Sequence, residues 1–182
     1  RVLSDDEVKT LLSYTLNHTD RYCAIVSLLL VTGQRRGEIA GLCWSEVRDG
    51  WLHLAPDRTK NSRGHAVPLG KLGMQILDRP KVHDLFVFGD PDSDQPFSGW
   101  SRAHRRLLRE TGLTHFTLHD LRRTFATVHA KLGTPIHVTE RLLNHVPGTV
   151  SGVAAVYNRH SYEREMVLAQ ATFADFAVRL LE

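Results

Sequence analysis

A histidine and an arginine, His119 and Arg122, lie three residues apart in the segment LHDLRRTFA. Residues at i and i+3 share one face of a helix. Thr117 and Asp120 have the spacing of a capping box, which predicts that the helix begins at 118 and carries both residues in its first turn. That end of a helix attracts anions, and an arginine adds a fork of donors for a phosphate or carboxylate. The pattern indicates an anion site, and a solvated arginine beside a capping-region histidine is the alternative.

A metal site is the next possibility, because His115 and His119 have the four-residue spacing of two zinc ligands on a helix. The glutamate of the H-E-x-x-H pattern is missing, however. The predicted cap at Thr117 also leaves His115 outside the helix. The sequence therefore predicts no metal site, and it indicates no cofactor.

Other residues with acid, base or nucleophilic side chains are spread along the chain. Arg35 follows a Thr-Gly turn in TGQRRGEIAGLCW, and Lys60 lies in the polar segment DRTKNSRG. His145 closes a helical segment in RLLNH, and Tyr157 follows twelve residues later in VYNRH. In chain order these groups read Arg, Lys, His-x-x-Arg, His, Tyr.

This order, together with its flanking motifs, resembles the catalytic domain of tyrosine recombinases, and most of all the integrases of prophages and genomic islands. The resemblance covers essentially the whole chain, from LSDDEV to the last helical segment. At 143–145 the chain has Leu-Asn-His, where the family often has Leu-Gly-His. Asparagine also adopts the left-handed backbone conformation, so Asn144 is not expected to prevent activity. The catalytic set that the resemblance implies is Arg35, Lys60, His119, Arg122, His145 and Tyr157.

The implied function is that of a site-specific DNA recombinase or integrase, which cleaves and rejoins strands through a 3′-phosphotyrosyl intermediate without a metal ion. The two arginines would clamp the non-bridging oxygens of the scissile phosphate. Tyr157 would attack the phosphorus, with His119 as a candidate general base. Lys60 would protonate the departing 5′-oxygen, and His145 would donate a hydrogen bond to the phosphate. Tyr162 is a rival nucleophile that the spacing from His145 disfavours.

Arginines outside the catalytic set are expected to contact DNA phosphates. Four of them recur at i, i+3, i+4 and i+7 in SGWSRAHRRLLRE, as a basic stripe without a matching acid. Such a stripe is often only a solvated helix face. Glu38 is expected to support Arg35 or the histidine pair. The expected DNA-contact residues are Arg36, Arg58, Arg63, Arg102, Arg105, Arg106, Arg109 and Arg123.

Composition limits the class of protein. The 182 residues are 42% hydrophobic and 24% charged, with a net charge of +3 and a pI of about 9.1, which permits a nucleic-acid partner. The longest apolar run, AIVSLLLV, is too short to span a membrane. Two cysteines in apolar surroundings favour a reducing compartment over a disulfide framework. We expect a cytoplasmic bacterial protein that is associated with the nucleoid when it is bound to DNA.

The elements that must position these residues follow from periodicity and caps. Ser4 and Glu7 form a capping box, and Asp20 can cap a second helix. The segments WLHLAP and HAVPLG read as a hairpin with the polar segment between them. The fold class is mainly α with a small antiparallel β-sheet (α+β), in one domain, 1–182. The predicted helices are 5–17, 20–31, a short one after Gly33, 71–79, and a series from 98 onward that breaks near 112–116, 133–135 and 146–149.

The resemblance implies further expectations about the whole protein. Residues 1–182 would be the catalytic part of a longer integrase whose N-terminal DNA-binding domains are absent here. It would act on double-stranded attachment sites as a homotetramer, with no membrane partner. The alternatives are a type IB topoisomerase and a DNA-binding module with an inactive site. The tail would pack on its own domain or on a neighbouring protomer through an apolar stripe of Met166, Ala169, Phe173, Phe176 and Leu180.

Overall fold

The structure is a computed structural model that describes residues 1–145 and 161–182. The predicted mainly helical fold with a small antiparallel sheet is confirmed. The elements in chain order are helices α1 (Asp5–Leu16), α2 (Arg21–Thr32) and α3 (Arg36–Ala40), strands β1 (Val47–Arg48), β2 (Trp51–Leu54) and β3 (His65–Pro68), helices α4 (Gly70–Leu77), α5 (Trp100–Thr111), α6 (Leu118–Lys131) and α7 (Ile136–Leu142), and the C-terminal helix (Glu163–Leu181).

The local signals in the sequence set the helix ends. Ser4 and Glu7 form the predicted capping box of α1, and Asp20 caps α2. At α6, the Asp120 N–H donates to Thr117 Oγ1 at 3.3 Å, and the Thr117 N–H donates to Asp120 Oδ2 at 2.9 Å. The breaks predicted near 112–116 and 133–135 are present. The break predicted at 146–149 lies outside the described residues.

Helix α2 forms the centre of the core because apolar residues occur on all its faces. All its residues from Tyr22 to Thr32 are buried, and it packs against α1, α4 and α6. It ends at Gly33, which has a left-handed backbone conformation with φ +67°. A Cβ there would lie 2.4 Å from the Phe125 ring of α6. Only glycine therefore permits both the turn and the close approach of α6, which carries His119 and Arg122.

The small sheet presents the segment with Lys60 next to the helices. Its strand order is β1-β2-β3, and both pairs are antiparallel. Leu52 pairs with Val67, and Leu54 pairs with His65. The predicted hairpin is thus confirmed, and the short strand β1 adds an edge that the sequence pattern did not indicate.

The C-terminal helix packs on its own domain, against α1, α4 and α7. Met166, Ala169 and Phe173 are buried, and Phe173 lies 5.4 Å from Phe125, ring centre to ring centre. Gln170 donates to the Pro68 carbonyl at 3.1 Å and joins this helix to β3. Among residues 1–145 and 161–182, no helix combines the length and the apolar content that a bilayer crossing requires.

One buried and one partly buried histidine, His129 and His65, are expected to make the fold sensitive to acid. His129 is fully buried between the rings of Phe125 and Phe173, at 4.3 and 5.4 Å. Burial lowers its pKa from 6.5 to about 4. Burial also lowers the pKa of His65 to about 4, against the opposing effect of its hydrogen bond to the Leu142 carbonyl. Both rings are therefore neutral in the folded protein near pH 7.

The free energy of unfolding is expected to fall as the pH is lowered from 6.5 towards 4. In that range the unfolded chain binds protons that the folded chain excludes, and each histidine contributes up to about 3 kcal/mol. Urea unfolding over a pH series measures the effect. His129→Leu should flatten part of the pH dependence, and an unchanged dependence in that variant would contradict the prediction.

Candidate active site

Arg122 is a buried cation that is held by backbone carbonyls. Its side chain is 4% exposed, and its guanidinium donates to the Gly33 carbonyl at 2.6 Å and to the Leu143 carbonyl. Within the described residues it forms no ion pair, and residues 146–160 contain no acidic side chain. Burial and the Arg35 charge lower its pKa to about 10, while Glu38 raises it. A buried charge is expensive without a counterion, so this site favours an anion.

Arg35 lies directly before α3, with its side chain facing the same region. Its backbone N–H donates to Glu38 Oε2 at 2.9 Å, and its Nη1 donates to Glu38 Oε1 at 3.0 Å. Glu38 itself is 3% exposed. The sequence left open whether Glu38 supports Arg35 or the histidines, and these contacts assign it to Arg35.

His119 and His145 share the electrostatic environment of the two arginines. Burial, followed by the charges of Arg123 and Arg122, lowers the pKa of His119. Burial, followed by the charges of Arg122 and Arg35, lowers the pKa of His145. Both imidazoles are therefore neutral near pH 7. A neutral His119 can accept a proton, and a neutral His145 still has one N–H to donate.

His65 and Gln34 also belong to this site, although the sequence alone did not point to them. The Leu142 carbonyl, at the end of α7, accepts from Gln34 Nε2 at 2.9 Å and lies 3.1 Å from His65 Nε2. Gln34 is 1% exposed, and its Oε1 accepts no hydrogen bond from the residues that the structure describes. The sequence signal for these two residues was weak, since it consisted only of a histidine in the strand HAVP and a glutamine next to Arg35. Both residues hold the turn that leads to His145.

Lys60 lies at the exposed turn between β2 and β3, as the hairpin pattern predicted. The neighbouring Thr59 closes this turn by accepting from the Arg63 N–H at 3.1 Å and donating to the Arg63 carbonyl at 2.7 Å. Arg63 is exposed in the same turn, where a phosphate could reach it. Tyr157 lies outside the described residues. The ring of the rival Tyr162 lies next to the His137 ring of α7, tilted by 54° with ring centres 4.8 Å apart.

The predicted basic stripe of α5 is only partly free of acids. Arg106 donates to Asp20 at 2.9 Å, and Arg109 donates to the carboxylate of the next residue at 3.4 Å. Arg102 and Arg105 form no ion pair within the part of the chain that the structure describes. The expectation of a stripe without matching acids is therefore wrong for two of its four arginines. The capping residue of α2 reaches one of them, and the neighbouring residue on α5 reaches the other.

The remaining arginines that were predicted to contact DNA differ in how strongly other residues of the chain bind their side chains. Arg36 is exposed and lies over the Trp100 ring, 5.3 Å from its centre. Arg123 donates to the capping carboxylate of α6 at 3.1 Å, and its side chain is 57% exposed. Arg58 donates to Glu46 Oε1 at 2.8 Å and to two backbone carbonyls. These contacts favour a structural role for Arg58 and leave Arg36 and Arg123 accessible.

The residues in 1–145 and 161–182 contain no group of three His, Cys, Asp or Glu side chains that could hold a metal ion. In particular, His115 lies before the α6 cap and His119 lies within α6, as the sequence predicted. Instead, the charges concentrated in this region are those of arginines.

The fold is that of the tyrosine recombinase catalytic domain. A lambda integrase dimer bound to a COC′ core site is similar with a TM-score of 0.65 and 23% identity, covering 84% of this chain and 60% of that chain. XerA recombinase is similar with a TM-score of 0.66 and 23% identity, covering 98% and 61%. These likenesses concern the fold.

Residues 1–164 match the phage integrase family, and the chain belongs to this family. Prophage integrase IntF of Escherichia coli K12 is 29% identical over an alignment of 143 positions, which covers 70% of this chain and 29% of that protein. Tyrosine recombinase XerC 2 of Ralstonia nicotianae is 30% identical over an alignment of 192 positions, which covers 94% of this chain and 52% of that protein. The chain thus spans about half the length of these relatives or less.

Proposed function

We propose that this chain cleaves and rejoins DNA strands as the catalytic domain of a site-specific recombinase. The observation that carries the proposal is Arg122, a buried guanidinium held by two carbonyls and without a carboxylate partner. A DNA phosphodiester supplies the missing negative charge. With Arg35 beside it, the pair presents fork-shaped donors to the two non-bridging oxygens, where charge builds up as the phosphorus is attacked.

The proposed reaction needs one nucleophile and two proton transfers. The Tyr157 oxygen attacks phosphorus, and its proton passes to the neutral ring of His119. The bond from phosphorus to the 5′-oxygen breaks, and Lys60 supplies a proton to that oxygen. His145 donates a hydrogen bond to the phosphate. The 3′-phosphotyrosyl bond keeps the energy of the diester, so the 5′-hydroxyl of a second strand reverses the same steps and reseals the DNA.

The partners follow from the same proposal. Lambda integrase forms a dimer on a core site and a tetramer on a Holliday junction. By analogy, we propose double-stranded attachment sites as the substrate and a homotetramer as the working assembly of a longer integrase that contains residues 1–182. The location would be the bacterial cytoplasm, at the nucleoid when the protein is on DNA.

Trapping of a covalent adduct tests this function. A nicked duplex that loses a short fragment after cleavage cannot be resealed, so a recombinase should accumulate as a protein–DNA adduct. A DNA-binding module with an inactive site would bind this duplex without forming the adduct. A type IB topoisomerase would form the adduct and also relax supercoiled plasmid without preference for one site. Sequencing of the trapped DNA ends separates these outcomes.

Adduct formation is expected to persist in EDTA. Arg35, Lys60 and Arg122 already supply the positive charge that metal ions provide in many phosphoryl-transfer enzymes. The measurement compares adduct yield on the nicked duplex with and without the chelator. Loss of the adduct in EDTA, with recovery on adding a divalent cation, would overturn this mechanism.

A further inference from the structure

The turn that carries Lys60 is joined to the turn before His145 by two asparagine side chains. Asn61 Nδ2 donates to the Asn144 carbonyl at 3.0 Å and to Asn144 Oδ1 at 3.1 Å. In return, Asn144 Nδ2 donates to Asn61 Oδ1 at 3.2 Å. The two amides therefore bond to each other in both directions, across 83 positions of sequence.

The backbone of Asn144 explains how its side chain reaches this position. Its φ is +49°, the left-handed conformation that the sequence predicted. Its N–H donates to the Arg141 carbonyl at 3.0 Å and closes the end of α7. A glycine would adopt this φ with less strain, but it would have no amide to offer Asn61. Asparagine at this position thus supplies a contact that glycine would lack.

Each asparagine is adjacent in sequence to a residue of the proposed reaction. Asn61 follows Lys60, and Asn144 precedes His145. Exposed polar turns are usually among the more mobile parts of a protein. Within the described residues, the hydrogen bonds from the tip of this hairpin, residues 60–63, to the helical part of the domain all involve Asn144. Besides its bonds with Asn61, Asn144 Nδ2 donates to the Arg63 carbonyl at 3.5 Å.

We infer that the Asn61–Asn144 pair is a positioning device, which holds the Lys60 turn against the His145 turn before DNA binds. Neither asparagine touches the reacting phosphate, and both act through their neighbours. Fixing the proton donor near the leaving oxygen removes the cost of ordering a mobile lysine in the transition state. The inference rests on the proposed function, because it assigns Lys60 the role of general acid.

The substitution Asn144→Gly tests the pair with little risk to folding, since glycine suits the backbone at this position. Asn61→Ala removes the partner amide. Each variant is compared on two nicked duplexes, one ordinary and one with sulfur in place of the bridging 5′-oxygen at the cleavage site. A thiolate leaves without needing a proton, so cleavage of the second duplex does not depend on the position of Lys60.

On ordinary DNA, each variant should form the adduct roughly 5- to 10-fold more slowly, because it loses neutral hydrogen bonds that hold the turn. Asn61→Ala should be at least as slow as Asn144→Gly, since glycine keeps the backbone carbonyl that accepts from Asn61. On the sulfur duplex both should match the parent protein. The double variant should be slowed by much less than the product of the two single effects, because the two side chains share most of their bonds. Asn17→Gly, at the exposed C-terminus of α1, is the matched control and should leave both rates unchanged. Equal slowing on both duplexes, or no slowing on ordinary DNA, would overturn the inference.

Trypsin provides a reading that does not depend on catalysis. It cuts after lysine and arginine, and Lys60 and Arg63 both lie in the joined turn. Trypsin should cut this turn faster in Asn144→Gly than in the parent protein or in the Asn17→Gly control. The melting temperatures of the three proteins should be the same, so that global unfolding does not explain the difference. An unchanged rate of cutting by trypsin would refute the positioning role of the asparagine pair even if the recombinase function is correct. Conversely, a parent protein that forms no adduct on either duplex would refute the proposed function, and the positioning role with it.

Discussion

Replacing Tyr157 with phenylalanine is expected to abolish the covalent protein–DNA adduct and to leave DNA binding intact. The change removes one oxygen, which is the atom that would attack phosphorus. The cationic groups proposed to bind phosphate, Arg35 and Arg122, are untouched. Gel-shift measurements at several salt concentrations report binding, and denaturing gels of the nicked duplex report the adduct.

The other tyrosines of the chain are poorer nucleophiles. The chain has four tyrosines in total. Tyr22 is buried, with its hydroxyl 2.7 Å from His104 Nδ1, and burial raises its pKa. Burial and the hydrogen bond to Glu110 raise the pKa of Tyr14 to about 12. An ionised phenolate is thus disfavoured at both positions.

Tyr162 is the matched control for this experiment. Its ring lies next to His137 and beneath the Arg141 guanidinium, which is 5.7 Å from the ring centre. Tyr162→Phe keeps the ring and should keep the adduct. An adduct that survives in Tyr157→Phe and disappears in Tyr162→Phe would reverse the assignment of the nucleophile.

Replacing Arg122 with lysine is expected to slow adduct formation by roughly 10²–10³-fold, as for the loss of one preorganised donor at an oxyanion. Lysine retains the charge, but it lacks the planar fork that donates to the Gly33 and Leu143 carbonyls and to phosphate at once. The rate is measured at saturating DNA and well below the melting temperature, so that weaker binding or partial unfolding does not contribute.

Arg123→Lys is the control, since it changes the same residue type one position away. Arg123 is largely exposed and pairs with the α6 capping carboxylate. Exposed ion pairs contribute little, so its rate and melting temperature should stay close to those of the parent. Equal rates for the two variants would show that Arg122 does not bind the reacting phosphate.

Much of the fold could be predicted because its signals act over a few residues. The capping boxes at Ser4 and Thr117 depend on groups three positions apart, and both are present. The apolar run of α2 predicted a buried helix, and the polar segment around Lys60 predicted a hairpin turn. The family could also be predicted, because a resemblance of motifs needs no knowledge of their contacts. The roles of the individual residues in catalysis stay a prediction.

The contacts between distant segments could not be predicted in this way. Arg106 looked free along α5, but its partner Asp20 is 86 positions away in sequence. Arg58 was expected to contact DNA, but Glu46 and backbone carbonyls hold it. No periodicity indicates such pairs, because they arise only when separate elements pack together.

The sequence by itself therefore determined the family and most of the local elements, since motifs and short-range hydrogen bonds are enough for that. Only the tertiary structure decided what surrounds the proposed catalytic residues. Consecutive carbonyls at the end of α7 accept from Gln34, Arg122 and Asn61, which come from three separate parts of the chain. Backbone carbonyls are the same in every residue, so the sequence cannot mark which of them a distant side chain will reach; the packing of α2, α6 and the hairpin around α7 selects them.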